Sequence, residues 1–261
     1  MSTVHNLGSS ISYMFTTIEG GVSCPPYSEA NLGFHVGDDP ISVAENRQIL
    51  SRKINTELVW MNQVHGCDIR VLTDLTLVEV PRDRYGFLTL DNVDGVMFDS
   101  DRIPATGIAL AVMVADCVPV LIADVVTCRI AAVHMGRAGM SGRILHRAIS
   151  MFLERGSNPA NLRIIFGPHI CSQCYEVPEE LRAQMPVAAR SYTRWGSPSV
   201  DIAGGGIAQV HELGCRAEVS NECTYENEHY FSHRRAMKED HQTGRFAGVI
   251  YIKPNDTPVK Y

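Results

Sequence analysis

Short apolar runs punctuated by polar knuckles set the pattern of the chain. "GIALAVMVAD" and "PVLIADVV" are rich in Val and Ile and read as strands, broken at Asp116-Cys117-Val118-Pro119. Pro119 cannot donate to a strand ladder, which places Cys117 at a strand end or kink. "ISYMFTTIEGGVS" reads as a strand entering a Gly-rich turn. "ELVWMNQVHGCDIRVLT" reads as two strands around the knuckle Asn62-Gln63-Val64-His65-Gly66, and "RIAAVHM" as a strand ending at His134. "NLRIIFGPHI" is a strand running into a loop. "YSEANLGFHVGDDP" reads as a long loop, "DNVDGVMFDSD" as a turn, and "FSHRRAMKEDHQTGRFAGVIYI" as an Arg-rich loop before a closing strand.

Helical spacing is found in fewer places. "SVAENRQILSRKI" follows Pro40, and Ser42 and Glu45 have capping-box spacing. "GRAGMSGRILHRAISMFLERGSNP" opens on Gly136, Gly139 and Gly142 and continues as a helix, with Gly156 and Pro159 as stop signals. "ELGCRAEVS" carries another glycine where a helix stops. Strands outnumber helices, some adjacent and some alternating with helices. The expectation is an α+β (α/β mixed) fold built on a mixed sheet. With no repeat or linker in view, one domain over residues 1–261 is the simplest division.

Composition narrows the function classes. In 261 residues, 45% are hydrophobic and 20% charged, enough for a large core and too apolar for wholesale disorder. The net charge of -6 argues against a nucleic-acid partner, yet leaves room for a small anion in a local pocket. No apolar run reaches the roughly 18 residues of a membrane span, and "MSTVHNLGSS" has no secretory pattern, so a cytoplasmic protein off the membrane is expected. The 8 cysteines are then expected to be reduced, with any special one a ligand or nucleophile.

Candidate chemistry falls at the strand ends. His65, Cys117 and His134 each sit where an apolar strand meets a Gly- or Pro-marked turn. Two imidazoles and a thiolate suit Zn2+ or a copper ion, with a fourth position open to water or substrate. The same residues also fit a Cys117 nucleophile with a histidine base and Asp116 as orienter, or plain packing. Arg47 falls on the apolar stripe of Val43, Leu50 and Ile54. A guanidinium there must be paired, by an ordinary salt bridge or as an anion clamp. Gly136, Gly139 and Gly142 could present N–H groups to a phosphate or simply permit close packing. Arg137, Arg143, Arg234, Arg235 and Arg245 are further charge partners. In "HICSQC", Cys171 and Cys174 form one Cys-x-x-Cys near His169. Without a matching pair they read as loop or packing residues.

Taken together, "NQVHG", "DGV", "ADCVPVLIAD", "AAVHMGRAG", "FGPHICSQCYEV" and "FSHRR…TGR", with "GVS", "NLGFHVGDDP" and "ENR" before them, resemble the YfiH-like, or laccase-domain, family of purine nucleoside phosphorylases. The resemblance covers nearly the whole chain. It implies a four-layer sandwich of mixed β-sheets flanked by helices, and a metal, usually zinc, on His65, Cys117 and His134. It implies phosphorolysis of adenosine, inosine and methylthioadenosine to free base and sugar 1-phosphate, and deamination of adenosine. Arg47, the arginine of "ENR", matches a position thought to bind phosphate. Asn62, Gln63 and Arg137 are further substrate-binding candidates. Asp94 and Asp116 are candidate acids or groups that orient ligands. Many members read "AVHAGWRG" where this chain has Arg137-Ala138, so the usual arginine is alanine here. Two alternatives come with the family: a peptidoglycan-editing hydrolase acting on a UDP-MurNAc-L-serine precursor, and a copper-dependent phenol oxidase, which 10 scattered histidines disfavour. A monomer or small homo-oligomer is expected.

Overall fold

Strands β7 (Ile108–Val114) and β8 (Val118–Asp124) are buried at every position, because each lies between two cores. Ile108, Leu110, Val112 and Val114 of β7 enter a central core, while Ala109, Ala111 and Met113 point to the opposite face. Leu121 and Ala123 of β8 join the same central core, and Val118, Val120 and Ile122 point away from it. The period of two therefore survives inside runs that look uniformly apolar.

The computed structural model describes residues 3–8 and 10–253 and puts these two strands in different sheets. The first sheet runs β1 (His5–Asn6), β2 (Ile11–Phe15), β14 (Phe246–Ile252), β7, β3 (Leu58–Asn62), β5 (Thr89–Asp91). The second runs β13 (Ala217–Val219), β10 (Leu162–Phe166), β8, β9 (Arg129–Met135), β6 (Gly95–Phe98), β4 (Ile69–Leu72). Both are mixed: β3 is parallel to β7 and β5, whereas β14 is antiparallel to β2 and β7. A small hairpin, β11 (Arg190–Tyr192) with β12 (Pro198–Val200), stands apart.

Helices close the outer faces. On the first sheet, Leu50 and Ile54 of α1 (Pro40–Ile54) pack on Leu58, Trp60, Ala109 and Ala111. On the second, Ile149 and Phe152 of α4 (Ile144–Glu154) and Val210 of α6 (Ile202–Glu212) cover Val120, Ile122 and Phe166. Burying a side chain such as Phe152 contributes about 1.5–3 kcal/mol. The layers are thus helix, sheet, sheet, helix, as the family resemblance implies. Short helices α2 (Asp74–Leu77), α3 (Arg137–Ser141), α5 (Glu179–Gln184) and α7 (His233–Lys238) complete the fold. Among the described residues no helix is long and apolar enough to cross a membrane.

Local chemistry overturns four expectations. Helix α1 is capped by Asp39, which accepts from the N–H groups of Ile41 and Ser42, so Ser42 is inside the helix and Pro40 takes its first turn. The glycine-led helix is two helices. It breaks at Gly142 and Arg143, where the chain turns left-handed (φ 63°). A Cβ at Gly142 would stand 2.4 Å from Cys67 Sγ, so close packing demands glycine there. "DNVDGVMFDSD" holds the fully buried β6 rather than only a turn. The Arg-rich loop contains α7, capped by Ser232, which accepts from Arg235 N–H.

Candidate functional site

The chain crosses from the first sheet to the second three times, and each crossing carries a chemically reactive side chain. Between β3 and β4 lies His65, between β5 and β6 lies Asp94, and between β7 and β8 lie Asp116 and Cys117. In the second sheet Pro119 is registered with His134 and Val118 with Met135, so Cys117 falls opposite Gly136. That register delivers the trio. The ligand atoms of His65, Cys117 and His134 all lie within 4.8 Å of one another. The two imidazole rings are 4.7 Å apart and nearly perpendicular, at 83°. A Cβ at Gly136 would stand 3.0 Å from Cys117 Sγ and 3.2 Å from His65 Cδ2, so the glycine makes room for the cluster.

Asp94 organises the ligands from behind. It is fully buried, and its oxygens accept from the backbone N–H groups of His65 (2.9 Å), Gly66 (2.6 Å) and Val64 (3.2 Å). His134 Nδ1 lies 2.7 Å from Asp94 Oδ1, which fixes the tautomer and turns Nε2 toward Cys117. Burial alone would raise the Asp94 pKa, but the His134 bond and the Gly66 and Val64 amides together hold it below the ordinary range. The anionic form of Asp94 is thereby favoured, which suits a group that orients ligands. Burial also pushes the Cys117 thiol up, yet the charge and hydrogen bonds of His134 and His65 outweigh it and favour the thiolate. Burial pushes His134 down, and the Cys117 and Asp94 anions more than reverse that. A thiolate beside two imidazoles, one held by a buried carboxylate, is a donor set that fits Zn2+ or a copper ion.

Asp116 has a different job. Its backbone is left-handed (φ 95°), an uncommon state for a side-chain-bearing residue. One oxygen accepts from Thr224 Oγ1 at 2.7 Å and the other from Arg234 N–H at 2.6 Å, while its carbonyl accepts from Ile170 N–H. These bonds pin the turn that presents Cys117.

The trio opens onto a cavity of about 930 Å3 at the strand ends. Its walls combine apolar side chains, such as Met61, Ile170 and Ile202, with Arg137, Arg234 and Arg245. Asn62 and Gln63 line it too, but their amides are engaged. Gln63 exchanges two hydrogen bonds with the Met113 backbone (2.7 and 2.8 Å), and Asn62 donates to Asp91 at 2.6 Å. Arg143 is exposed and paired with Glu212, and Arg235 is spent on the carbonyls of Thr224, Tyr225 and Tyr230.

Arg47 is not among the residues lining this cavity. Its guanidinium is buried against Trp60 and Phe34 (4.0 and 4.4 Å), donates from Nε to Leu32 O, and sits 3.8 Å from Asp83. It contacts the cavity-lining Met113 from behind, Nη2 to Sδ 3.6 Å. The Asp83 contact fits the ion-pair reading of the apolar stripe, while Nη1, which has no hydrogen-bond partner among the described residues, retains a donor for an anion. A Cβ on Gly139 would make a tight 3.2 Å contact with Gly66 O, which is consistent with glycine permitting close packing there.

The wall also holds Tyr175, His35 and His233, which spacing did not single out. Tyr175 is kept in its phenol form chiefly by burial and then by the Cys117 charge. His35 sits in the wall with its pKa lowered to about 4 by burial and by Arg245, Arg47 and His65. The only sequence cue was that all three lie in motif segments.

A family model described as multi-copper polyphenol oxidoreductase laccase matches residues 12–253. The chain belongs to this laccase-like YfiH family. A relative from Streptomyces coelicolor named a purine nucleoside phosphorylase is 41% identical over 91% of this chain and 94% of its own. Purine nucleoside phosphorylase YfiH of Escherichia coli is 33% identical over 89% and 90%. Among solved structures, Bacillus licheniformis hypothetical protein YfiH superposes with a TM-score of 0.79 at 30% identity, covering 93% of both chains. YlmD of Geobacillus stearothermophilus gives 0.78 at 26%, covering 94% and 93%. The YfiH-like fold thus extends across nearly the whole chain.

Proposed function

We propose that this YfiH-family chain is a metal-dependent purine nucleoside phosphorylase. It would cleave adenosine, inosine and methylthioadenosine with phosphate to the free base and sugar 1-phosphate. The observation that carries the reading is the cavity itself: apolar walls suited to a planar base, guanidinium groups suited to an anion, and the His65–Cys117–His134 trio in one wall. The names of the relatives point the same way. In the reaction a phosphate oxygen bonds to the anomeric carbon as the glycosidic C–N bond breaks, and the base departs more easily once protonated. Arg137 and Arg245, in the wall, would hold phosphate, with the Arg47 charge behind them. Asp94 and Asp116 would position the site through their hydrogen bonds. Tyr175, a phenol with its proton, would offer a leaving base a hydrogen bond from the wall. Zn2+, or a copper ion, on the trio would supply Lewis acidity toward a bound oxygen or nitrogen. Deamination of adenosine is part of the same reading, as is a cytoplasmic location.

The test is purified protein with inosine, with and without phosphate, followed for hypoxanthine. Phosphate-dependent hypoxanthine is expected; none in metal-replete protein sinks the phosphorolysis reading. The cavity volume, near the upper end of about 300–1,000 Å3 for ligand sites, favours one alternative, the hydrolase acting on the larger UDP-MurNAc-L-serine precursor. Release of L-serine with no phosphate present would select it.

A further inference from the structure

A second cluster of metal-binding side chains lies outside the cavity. The ligand atoms of Cys171, Cys174, Cys223 and Glu226 all lie within 4.8 Å of one another. The first two come from the loop after β10 and the others from the loop after β13. The sequence holds two matched halves, Cys-x-x-Cys and Cys-x-x-Glu, but they are too distant for spacing to reveal.

The two halves fold alike. In the first, the N–H groups of Cys174 and Tyr175 both donate to Cys171 O at 3.0 Å. In the second, Glu226 and Asn227 donate to Cys223 O at 3.1 and 2.9 Å. A parallel bridge between His169 and Cys223 sets the loops side by side. Cys171 N–H points at Cys223 Sγ (3.4 Å), a backbone donor aimed at a sulfur. Arg194 pairs with Glu226 and places Nη2 3.1 Å from Cys174 Sγ. His169, whose Nδ1 lies against Gly167 O at 2.7 Å, is not among the four clustered donors.

We propose that Cys171, Cys174, Cys223 and Glu226 form a second, closed metal site for Zn2+, separate from the His65–Cys117–His134 centre. Soft thiolates select a thiophilic cation, and four protein donors leave no position for substrate, the mark of a structural site. Binding releases the thiol protons. Three thiolates and one carboxylate around a dication leave two net negative charges, and Arg194 offsets one of them. The site staples two loops that shape the cavity. Ile170 and Tyr175 in the first loop line it, and Thr224 in the second holds Asp116.

The test counts metal in the full chain, purified under reducing conditions with zinc, by plasma mass spectrometry. Two equivalents are expected in wild type. One equivalent is expected in His65→Ala, and none when Cys174→Ser and Cys223→Ser are added to His65→Ala. Because the serine variants could misfold, His65→Ala with native cysteines is also loaded with Co2+. Strong thiolate-to-cobalt charge-transfer absorption is expected there. The proposal is overturned if Co2+-loaded His65→Ala shows no such absorption. It is also overturned if wild type loses no metal on Cys174→Ser, or if Cys171 and Cys223 are found disulfide-bonded in the reduced preparation. Failure of the first centre reads differently: wild type would then hold one equivalent, lost with Cys174→Ser and kept with Cys117→Ala.

Discussion

Replacing Asp94 by Asn tests whether the first centre is built as described. The substitution keeps the size of the side chain and removes its charge. Each carboxylate oxygen serves two partners: Oδ1 takes His65 N–H and His134 Nδ1, and Oδ2 takes Gly66 N–H and Val64 N–H. An amide has one NH2 in place of one oxygen: facing Gly66 and Val64 it opposes two N–H donors, and facing His65 and His134 it opposes the His65 N–H and turns His134 to its other tautomer. Hydrogen bonds to a charged group contribute about 1.5–3 kcal/mol each, so losing one or two costs at least about 1.5 kcal/mol. Freed from Asp94, His134 would also lose its fixed tautomer, and outer ligand partners of this kind change metal affinity by about 10–100-fold. Two measurements check this: urea unfolding of the metal-free protein, and chelator competition for the metal bound in a Cys174→Ser background. Asp94→Asn protein with wild-type stability and wild-type affinity would refute the reading of Asp94 as the group that holds the ligand loop.

The Gly136→Ala variant should fold yet bind metal at the trio at least tenfold more weakly, because its Cβ would stand 3.0 Å from Cys117 Sγ; unchanged chelator competition would show that the trio has slack. Arg137→Met should raise the KM for phosphate about tenfold or more with little change in that for nucleoside, as expected for one lost charged hydrogen bond; an effect confined to the nucleoside would move Arg137 to the base or sugar. His35 has a folded pKa of about 4 against an ordinary 6.5, so the unfolded chain binds more protons between those values. Its contribution is therefore present above about pH 6.5 and lost as pH falls toward about 4, and His35→Gln should flatten that part of the stability–pH curve measured by urea unfolding. An unaltered curve would show that His35 titrates normally.

What sequence could reveal here follows from how the two sheets are connected. A strand buried on both faces carries few polar side chains. The polar residues interrupting the apolar runs therefore fall where the chain leaves one sheet for the other, and those crossings meet at one edge. His65 and Cys117 were legible for that reason, and His134 because its strand ends beside them. Partnerships across the fold were not legible. Asp116 is tied to Thr224 and Arg234, 108 and 118 positions away, and no spacing rule reaches so far. Arg47 shows the limit from the other side. Helical spacing placed it on the buried stripe, yet the choice between substrate and Asp83 depended on which aromatic rings closed around it. Cys171 and Cys174 read as packing residues for the same reason: their matching half begins at Cys223, beyond a hairpin and α6. Chemistry on the chain can be read where it breaks a pattern, whereas a donor set completed by a distant loop needs the sheet order that brings the loops together.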